Sequence, residues 1–269
     1  MEYFEIRIHP ASEEKQEILT SLLAEVNFES FVETEDELLA YIQAHNYVRE
    51  KVKQLCNQFE VKFTEKQIPD QNWNAEWEKN FEPVLIAEKC YIRAPFHAPR
   101  PDYPFEIIIE PKMSFGTAHH ETTALMIEVM MQMDFMGKKV LDMGCGTGIL
   151  AILAYKMGAA EVEAIDNDPW AYNNAMENMK KNNVTAMTVK MGDVDAAGSG
   201  YDILLANINR NVLISHLPEY SKCIKKGELL MSGFYEEDLA MIRQAAELNA
   251  FVFDKHITKN RWVAARFIK

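Results

Sequence analysis

Apolar and polar residues alternate from Tyr3 to His9, which predicts a strand, and the spacing turns helical directly after it. Ile18, Leu19, Leu22 and Leu23 fall on one helical stripe behind Ser12, a candidate cap, with Glu13 and Glu14 in the first turn. Segments 28–33 and 38–43 read as two strands joined by the acidic turn Glu35-Asp36-Glu37. Val48, Val52, Leu55, Cys56 and Phe59 mark a second helix over 47–59, and 61–68 alternates again. The order β-α-β-β-α-β predicts a small ferredoxin-like α+β unit over residues 1–68. It carries no obvious chemistry, so substrate recognition is its expected role; a passive or dimerising unit stays open.

The pattern breaks between Ile68 and Asn72. Trp73, Trp77 and Phe81 then recur every four residues ahead of Pro83, which predicts a linker helix over 69–84 with one aromatic packing face. Strands follow at 84–87, 90–94 and 105–110, with Pro95, Pro99, Pro101 and Pro104 crowding the loop before the last. An apolar helix over 124–133 has methionines suited to filling core gaps. Beyond it, strands at 161–165, 187–191, 201–206 and 229–233 alternate with helices at 169–181, 212–224 and 236–248. The last two strands, 251–258 and 262–268, are joined by the short turn Lys259-Asn260-Arg261 and must pair as an antiparallel hairpin. Residues 85–269 are therefore predicted to form one α/β domain, a mostly parallel seven-stranded sheet closed by that hairpin.

The strand ending at Val140-Leu141 runs into Asp142-Met143-Gly144-Cys145-Gly146-Thr147-Gly148, and an apolar helix opens at Ile149. Glycines at such a junction let a nucleotide-like ligand approach the backbone at a helix N-terminus. Asp166, 22 residues past Gly144 at the end of the next strand, can accept hydrogen bonds from ribose hydroxyls. The spacing also separates cofactors. A dinucleotide fingerprint counted from Gly144 needs Gly or Ala where Ile149 stands, and no Lys-Ser/Thr pair follows as in a P-loop. What remains, D-x-G-x-G-x-G with an acidic second strand, resembles the first two motifs of class I S-adenosylmethionine methyltransferases. The terminal hairpin on a Rossmann-like sheet is similar to theirs as well.

Composition narrows the partners. A net charge of −13 over 269 residues argues against gripping bare nucleic acid through its phosphates, and suits a basic target. Cys56, Cys90, Cys145 and Cys223 lack C-x-x-C spacing, so neither a metal nor a disulfide framework is expected. Cys145 suits the glycine turn because it is small. The N-terminus has no basic and apolar leader, and no apolar run approaches the roughly 18 residues of a membrane span. A cytoplasmic monomer is expected.

Over nearly its whole length the chain resembles the bacterial ribosomal protein L-eleven methyltransferase family. The resemblance rests on Trp73, Trp77, Phe81 and Pro83; on the stretch from Phe115 to Thr123; on the glycine motif with Ile165-Asp166; and on Ala206-Asn207-Ile208. It implies cofactor contacts at Thr123, Gly144, Asp166 and Asn207, with Gly146 and Phe115 beside them and Asp193 similar to the acid on the adenine side in many relatives. Thr123, at a helix start, can equally be a cap. Asn207, where the sheet order reverses, would lie beside the reactive centre and position the acceptor. His120 is a candidate proton acceptor or a structural hydrogen-bonder. Lys112, Ala118, His119 and Glu121 depart from the family pattern; a left-handed residue 118 would cost about 1 kcal/mol as Ala.

The implied reaction is methyl transfer from S-adenosylmethionine to lysine ε-amines of ribosomal protein L-eleven, with its α-amine as a further acceptor. Only about one lysine in a few thousand is neutral at pH 7, a penalty of roughly 5 kcal/mol. Desolvation lowers that penalty, and alignment of nitrogen, methyl and sulfur can contribute about 7–11 kcal/mol, so positioning by Asn207 without a dedicated base suffices. Asn207-Ile208-Asn209-Arg210 lacks the N/D-P-P-Y pattern of adenine or glutamine methylation. Another basic protein or a small molecule is the alternative acceptor, though a small molecule would not need the N-terminal unit.

Overall fold

The computed structural model describes residues 3–9, 11–68, 81–112 and 114–269. The chain divides into two compact units, Met1–Asn80 and Phe81–Lys269. In the first, strands β1 (Tyr3–His9), β2 (Ser30–Glu33), β3 (Leu38–Gln43) and β4 (Lys62–Ile68) form an antiparallel sheet in the order β2-β3-β1-β4. Helices α1 (Glu13–Ala24) and α2 (Arg49–Gln58) complete the ferredoxin-like arrangement that the alternation predicts. Ile6, Ile8, Leu38, Ala40 and Ile42 supply the sheet's share of the core, and Leu19, Leu23, Val52 and Cys56 the helices' share. Burying each large aliphatic contributes about 1.5–3 kcal/mol. Ser12 occupies the N-cap of α1, but its hydroxyl makes no cap bond; its carbonyl accepts from Gln16 N–H at 2.8 Å instead.

Of the linker helix predicted over 69–84, residues 69–80, with Trp73 and Trp77, lie outside the described residues. Residues 81–83 are irregular rather than helical, and Val84 already opens a strand. Pro83 accounts for this, since a proline drives the residue before it out of helical geometry.

The second unit holds a small sheet of β5 (Val84–Ile86), β6 (Cys90–Arg93) and β7 (Phe105–Ile108). Its main sheet comprises β8 (Lys139–Met143), β9 (Glu161–Asp166), β10 (Met187–Met191), β11 (Ile203–Asn207), β12 (Glu228–Tyr235), β13 (Val252–Lys259) and β14 (Trp262–Ile268). The order is β10-β9-β8-β11-β12-β14-β13, parallel from β10 to β12, with β14 antiparallel to both its neighbours. Strand residues alternate between two cores. Val140 and Leu205 pack with α3 (Glu121–Met130), α4 (Ile149–Lys156) and α5 (Pro169–Lys181). Leu141 and Leu204 pack with α6 (Arg210–Cys223) and α7 (Leu239–Leu248) on the other face.

Local signals set several boundaries. Asp168 caps α5 by accepting from Trp170 N–H at 2.9 Å, ahead of Pro169 at the first helical position. Asn260 and Arg261, at φ 50° and 68°, make the two-residue turn that returns β13 into β14. The sheet order reverses between β8 and β11, so the chain opens a crevice at the carboxyl ends of those strands. Among the described residues no helix is long and apolar enough to cross a membrane.

Candidate active site

A cavity of about 660 Å³ occupies that crevice. Phe115, Gly144, Gly146, Asp166, Asp193 and Asn207 all line it; Thr123 does not, and sits one layer behind. Asp166, Asp168 and Asp193 give the lining three carboxylates, and no lysine or arginine is among the described residues that form it. Such a surface suits hydroxyl donors and a cationic centre, and disfavours a pyrophosphate, which needs opposing positive charge.

The glycine turn is held from several sides. Gly144, Gly146 and Gly148 have φ of 70°, 54° and 77°, in the left-handed region. A Cβ on Gly144 would lie 2.2 Å from Ile208 Cγ2, and one on Gly146 would lie 2.3 Å from the Phe115 carbonyl oxygen. The glycines are thus required by the protein's own neighbours, a constraint the motif alone does not reveal. Asp166 Oδ2 accepts from Gly146 N–H at 2.8 Å and Oδ1 from Asp168 N–H at 3.0 Å. Each oxygen retains a lone pair for a further donor. Cys145 is buried, and burial pushes its thiol well above the ordinary range, so it is inert packing.

Beneath the turn, Asp142 is 1% exposed and its Oδ2 accepts from Ala151 N–H at 3.0 Å. Burial, with Asp166 adding like charge, pushes its pKa up to about 7. A carboxyl raised above its unfolded value of about 3.9 stabilises the fold fully at pH below that value, and the contribution is lost as pH rises through 7. Asp142→Asn keeps an acceptor for Ala151 without a buried charge. Its melting temperature should exceed that of the parent at pH 8, with the gain shrinking toward pH 5; an equal gain at both would exclude the charge as cause.

Asn207 closes β11 with its side chain turned to the cavity. Its Nδ2 donates to Thr123 Oγ1 at 3.2 Å, while Oδ1 is buried without a partner. Leaving such an acceptor unmet costs about 1–3 kcal/mol, which a donor arriving in the cavity recovers. The following residue is clamped between glycines: Ile208 packs on Gly144, and a Cβ on Gly233 would lie 2.0 Å from Ile208 O. Asn209 then caps α6 by accepting from Val212 N–H at 3.1 Å. Thr123, read from sequence as a cap or a cofactor contact, is neither a cap nor in the lining; it anchors Asn207.

The cap of α3 is His120. Its Nδ1 accepts from Thr122 N–H at 3.2 Å, and Thr122 Oγ1 lies 2.8 Å from the same nitrogen. This is why α3 begins at Glu121, three residues before the apolar run. Since Nδ1 accepts, the neutral ring carries its proton on Nε2 and has no lone pair there to take another. A proton-accepting role for His120 is thereby disfavoured. Ala118 does adopt the left-handed conformation, at φ 69°, and is 2% exposed.

Trp262, which the sequence reading did not single out, also lines the cavity. Its ring lies tilted against Tyr235 at 4.0 Å between centroids and meets His120 edge-on at 4.9 Å, and His120 in turn meets Phe115 at 5.2 Å. The signal was the hairpin: because β14 runs antiparallel, its first residue returns to the carboxyl edge where the cavity opens. Asp193 caps a short 3₁₀ turn, accepting from Val194 N–H at 2.7 Å through Oδ1. His216 Nε2 lies 3.4 Å from that oxygen, so Oδ2 is the one left for a ligand.

A family model described as “Ribosomal protein L11 methyltransferase (PrmA)” matches residues 3–269. A Ribosomal protein L11 methyltransferase of Phocaeicola vulgatus is 43% identical over 279 aligned residues, covering 100% of this chain and 99% of that protein. One of Bacteroides fragilis is 44% identical over 279 residues, with 100% of both chains covered. Among solved structures, a ribosomal protein L11 methylase from Lactobacillus delbrueckii subsp. bulgaricus has a TM-score of 0.65 at 25% identity, covering 70% of this chain and 98% of that one.

Proposed function

Because the chain belongs to the ribosomal protein L11 methyltransferase family, we propose that it methylates lysine ε-amines of ribosomal protein L11 and that protein's α-amine. S-adenosylmethionine is the methyl donor, supplying a methyl group made electrophilic by its sulfonium. The observation that carries the reading is Asn207 Oδ1, a buried acceptor without a partner in the lining of an acidic cavity at the sheet's switch point. The residues present fit this donor: hydroxyl acceptors, a glycine cradle, and carboxylates around a cationic centre.

In this reading Asp166 accepts from the ribose hydroxyls, and Gly144 and Gly146 give the amino-acid end access to the backbone. Asp193 Oδ2 accepts from the adenine amino group, and Phe115 covers the site. Thr123 acts through Asn207, whose carbonyl oxygen accepts a hydrogen bond from the incoming amine and aims its lone pair. With His120 protonated at Nε2, the amine sheds its proton to solvent before it is enclosed. The run Phe115, His120, Trp262 and Tyr235 offers an apolar and π-rich wall for a lysine stem and its ammonium. We assign recognition to the unit over 1–68, catalysis to 85–269 and connection to 69–84. The protein is read as a cytoplasmic monomer with no nucleic-acid partner.

Label from methyl-labelled S-adenosylmethionine should pass to unmethylated L11 and not to L11 whose amines have been acetylated. Label in both would contradict amine transfer. Label in neither would redirect the reading to another basic protein or a small molecule.

A further inference from the structure

The loop over 114–120 is fastened at one end to the glycine turn. Phe115 O accepts from Thr147 N–H at 2.9 Å, and Gly116 O accepts from the Thr147 hydroxyl at 2.5 Å. Its other end is held by His119, to which nothing above gives a role. Nε2 of His119 lies 2.9 Å from the Glu82 carbonyl oxygen, while Nδ1 lies 3.1 Å from the Thr117 carbonyl oxygen and 3.2 Å from the Thr117 hydroxyl. A carbonyl oxygen can only accept, so both ring nitrogens face acceptors, and only the imidazolium donates to both at once. The Phe81 ring, 4.5 Å away between centroids, adds an aromatic neighbour at a range where cation–π attraction acts. In the neutral ring with Nε2 protonated, Nδ1 can take the Thr117 hydroxyl, but the Thr117 carbonyl then faces a lone pair and one strand of the clamp is lost.

We propose that protonated His119 is a positioning residue that pins the 114–120 loop to the segment entering the second unit and so holds Phe115 over the cofactor. This rests on the reading that Phe115 covers the bound nucleoside. Loss of one ring proton removes one of the two donors, so the clamp depends on pH. The titratable and charged neighbours are Glu121 and Glu128 of α3 and Lys259 of β13, which line a second cavity of about 320 Å³ with His119. Among the described residues, Glu82 itself, the adjacent His120, and His97 across the Phe81 ring are the others.

Two measurements on the full chain test this. S-adenosylhomocysteine, the stable demethylated product, is titrated calorimetrically into the wild type and His119→Gln from pH 5.5 to 8. Glutamine is neutral throughout and keeps one donor, so the variant should bind at every pH as the wild type does at pH 8. At pH 5.5 the wild type should bind about three- to ten-fold more tightly than the variant, the worth of one ordinary hydrogen bond, since the His119 contacts are exposed to solvent. Parallel profiles, whether coincident or offset, overturn the proposal, because a purely structural contact shifts affinity without changing its pH dependence. The ¹⁵N shifts of the His119 ring, read without ligand, should report both nitrogens protonated at pH 5.5, and a neutral ring there overturns it too. If the nucleoside fails to bind the wild type, the reading of the cofactor site falls, and the ring shifts still decide the clamp.

Discussion

Asn207→Ala should lower kcat about 10²–10³-fold while leaving the melting temperature close to that of the parent. The two readouts separate because of how the amide is held. Its Nδ2 is anchored by Thr123 Oγ1 at 3.2 Å, and its Oδ1 is a buried acceptor with nothing to accept from. Truncation removes that unmet acceptor, a gain to the fold, and leaves the Thr123 hydroxyl unanswered, a comparable loss. Catalysis has no such offset, since the acceptor amine loses the group that aims it. Thr123→Val should fall between the two, because the amide remains but can rotate. Near-normal kcat for Asn207→Ala at saturating cofactor would remove Asn207 from the mechanism.

Gly146→Ala should weaken cofactor binding at least about 100-fold, and far more than Gly144→Ala. Both glycines have positive φ, where alanine costs about 1–2 kcal/mol. They differ in what the new methyl meets. At Gly146 it lies 2.3 Å from the backbone carbonyl of Phe115, the same oxygen that accepts from Thr147 N–H, so the loop and the turn must separate. The N–H that Asp166 Oδ2 holds at 2.8 Å moves with them. At Gly144 the obstacle is Ile208 Cγ2, a side-chain methyl that a χ1 change can move at some cost, without separating backbone from backbone. Calorimetry with S-adenosylhomocysteine on both variants checks the contrast; equal losses would mean that the two turns yield in the same way.

The chain's periodicities carried most of the fold. Alternation at β1 and β4 and the helical stripes of α1 and α2 are local signals, and the short turn Lys259-Asn260-Arg261 gave the antiparallel sense of β14. The glycine turn and Asp166 were legible because their spacing alone specifies a strand, a turn and a second strand. What stayed hidden depends on residues far apart in sequence. Thr123 looks like a cap because it stands near a helix start, yet His120 takes that position and Thr123 meets Asn207, 84 residues away. Trp262 reads as an ordinary strand aromatic until the sheet order carries it to the cavity. His119 carries no recognisable pattern, since the partner that gives it a role is the main-chain carbonyl of Glu82, 37 residues away.

Intact-mass spectrometry of unmethylated ribosomal protein L11, incubated with this protein and S-adenosylmethionine and then digested to locate the change, tests the central claim most directly. Mass gains of whole methyl groups on lysine side chains or the α-amine, absent with Asn207→Ala, are the predicted result. An L11 of unchanged mass, from an enzyme that binds the nucleoside in the same experiment, would contradict the account.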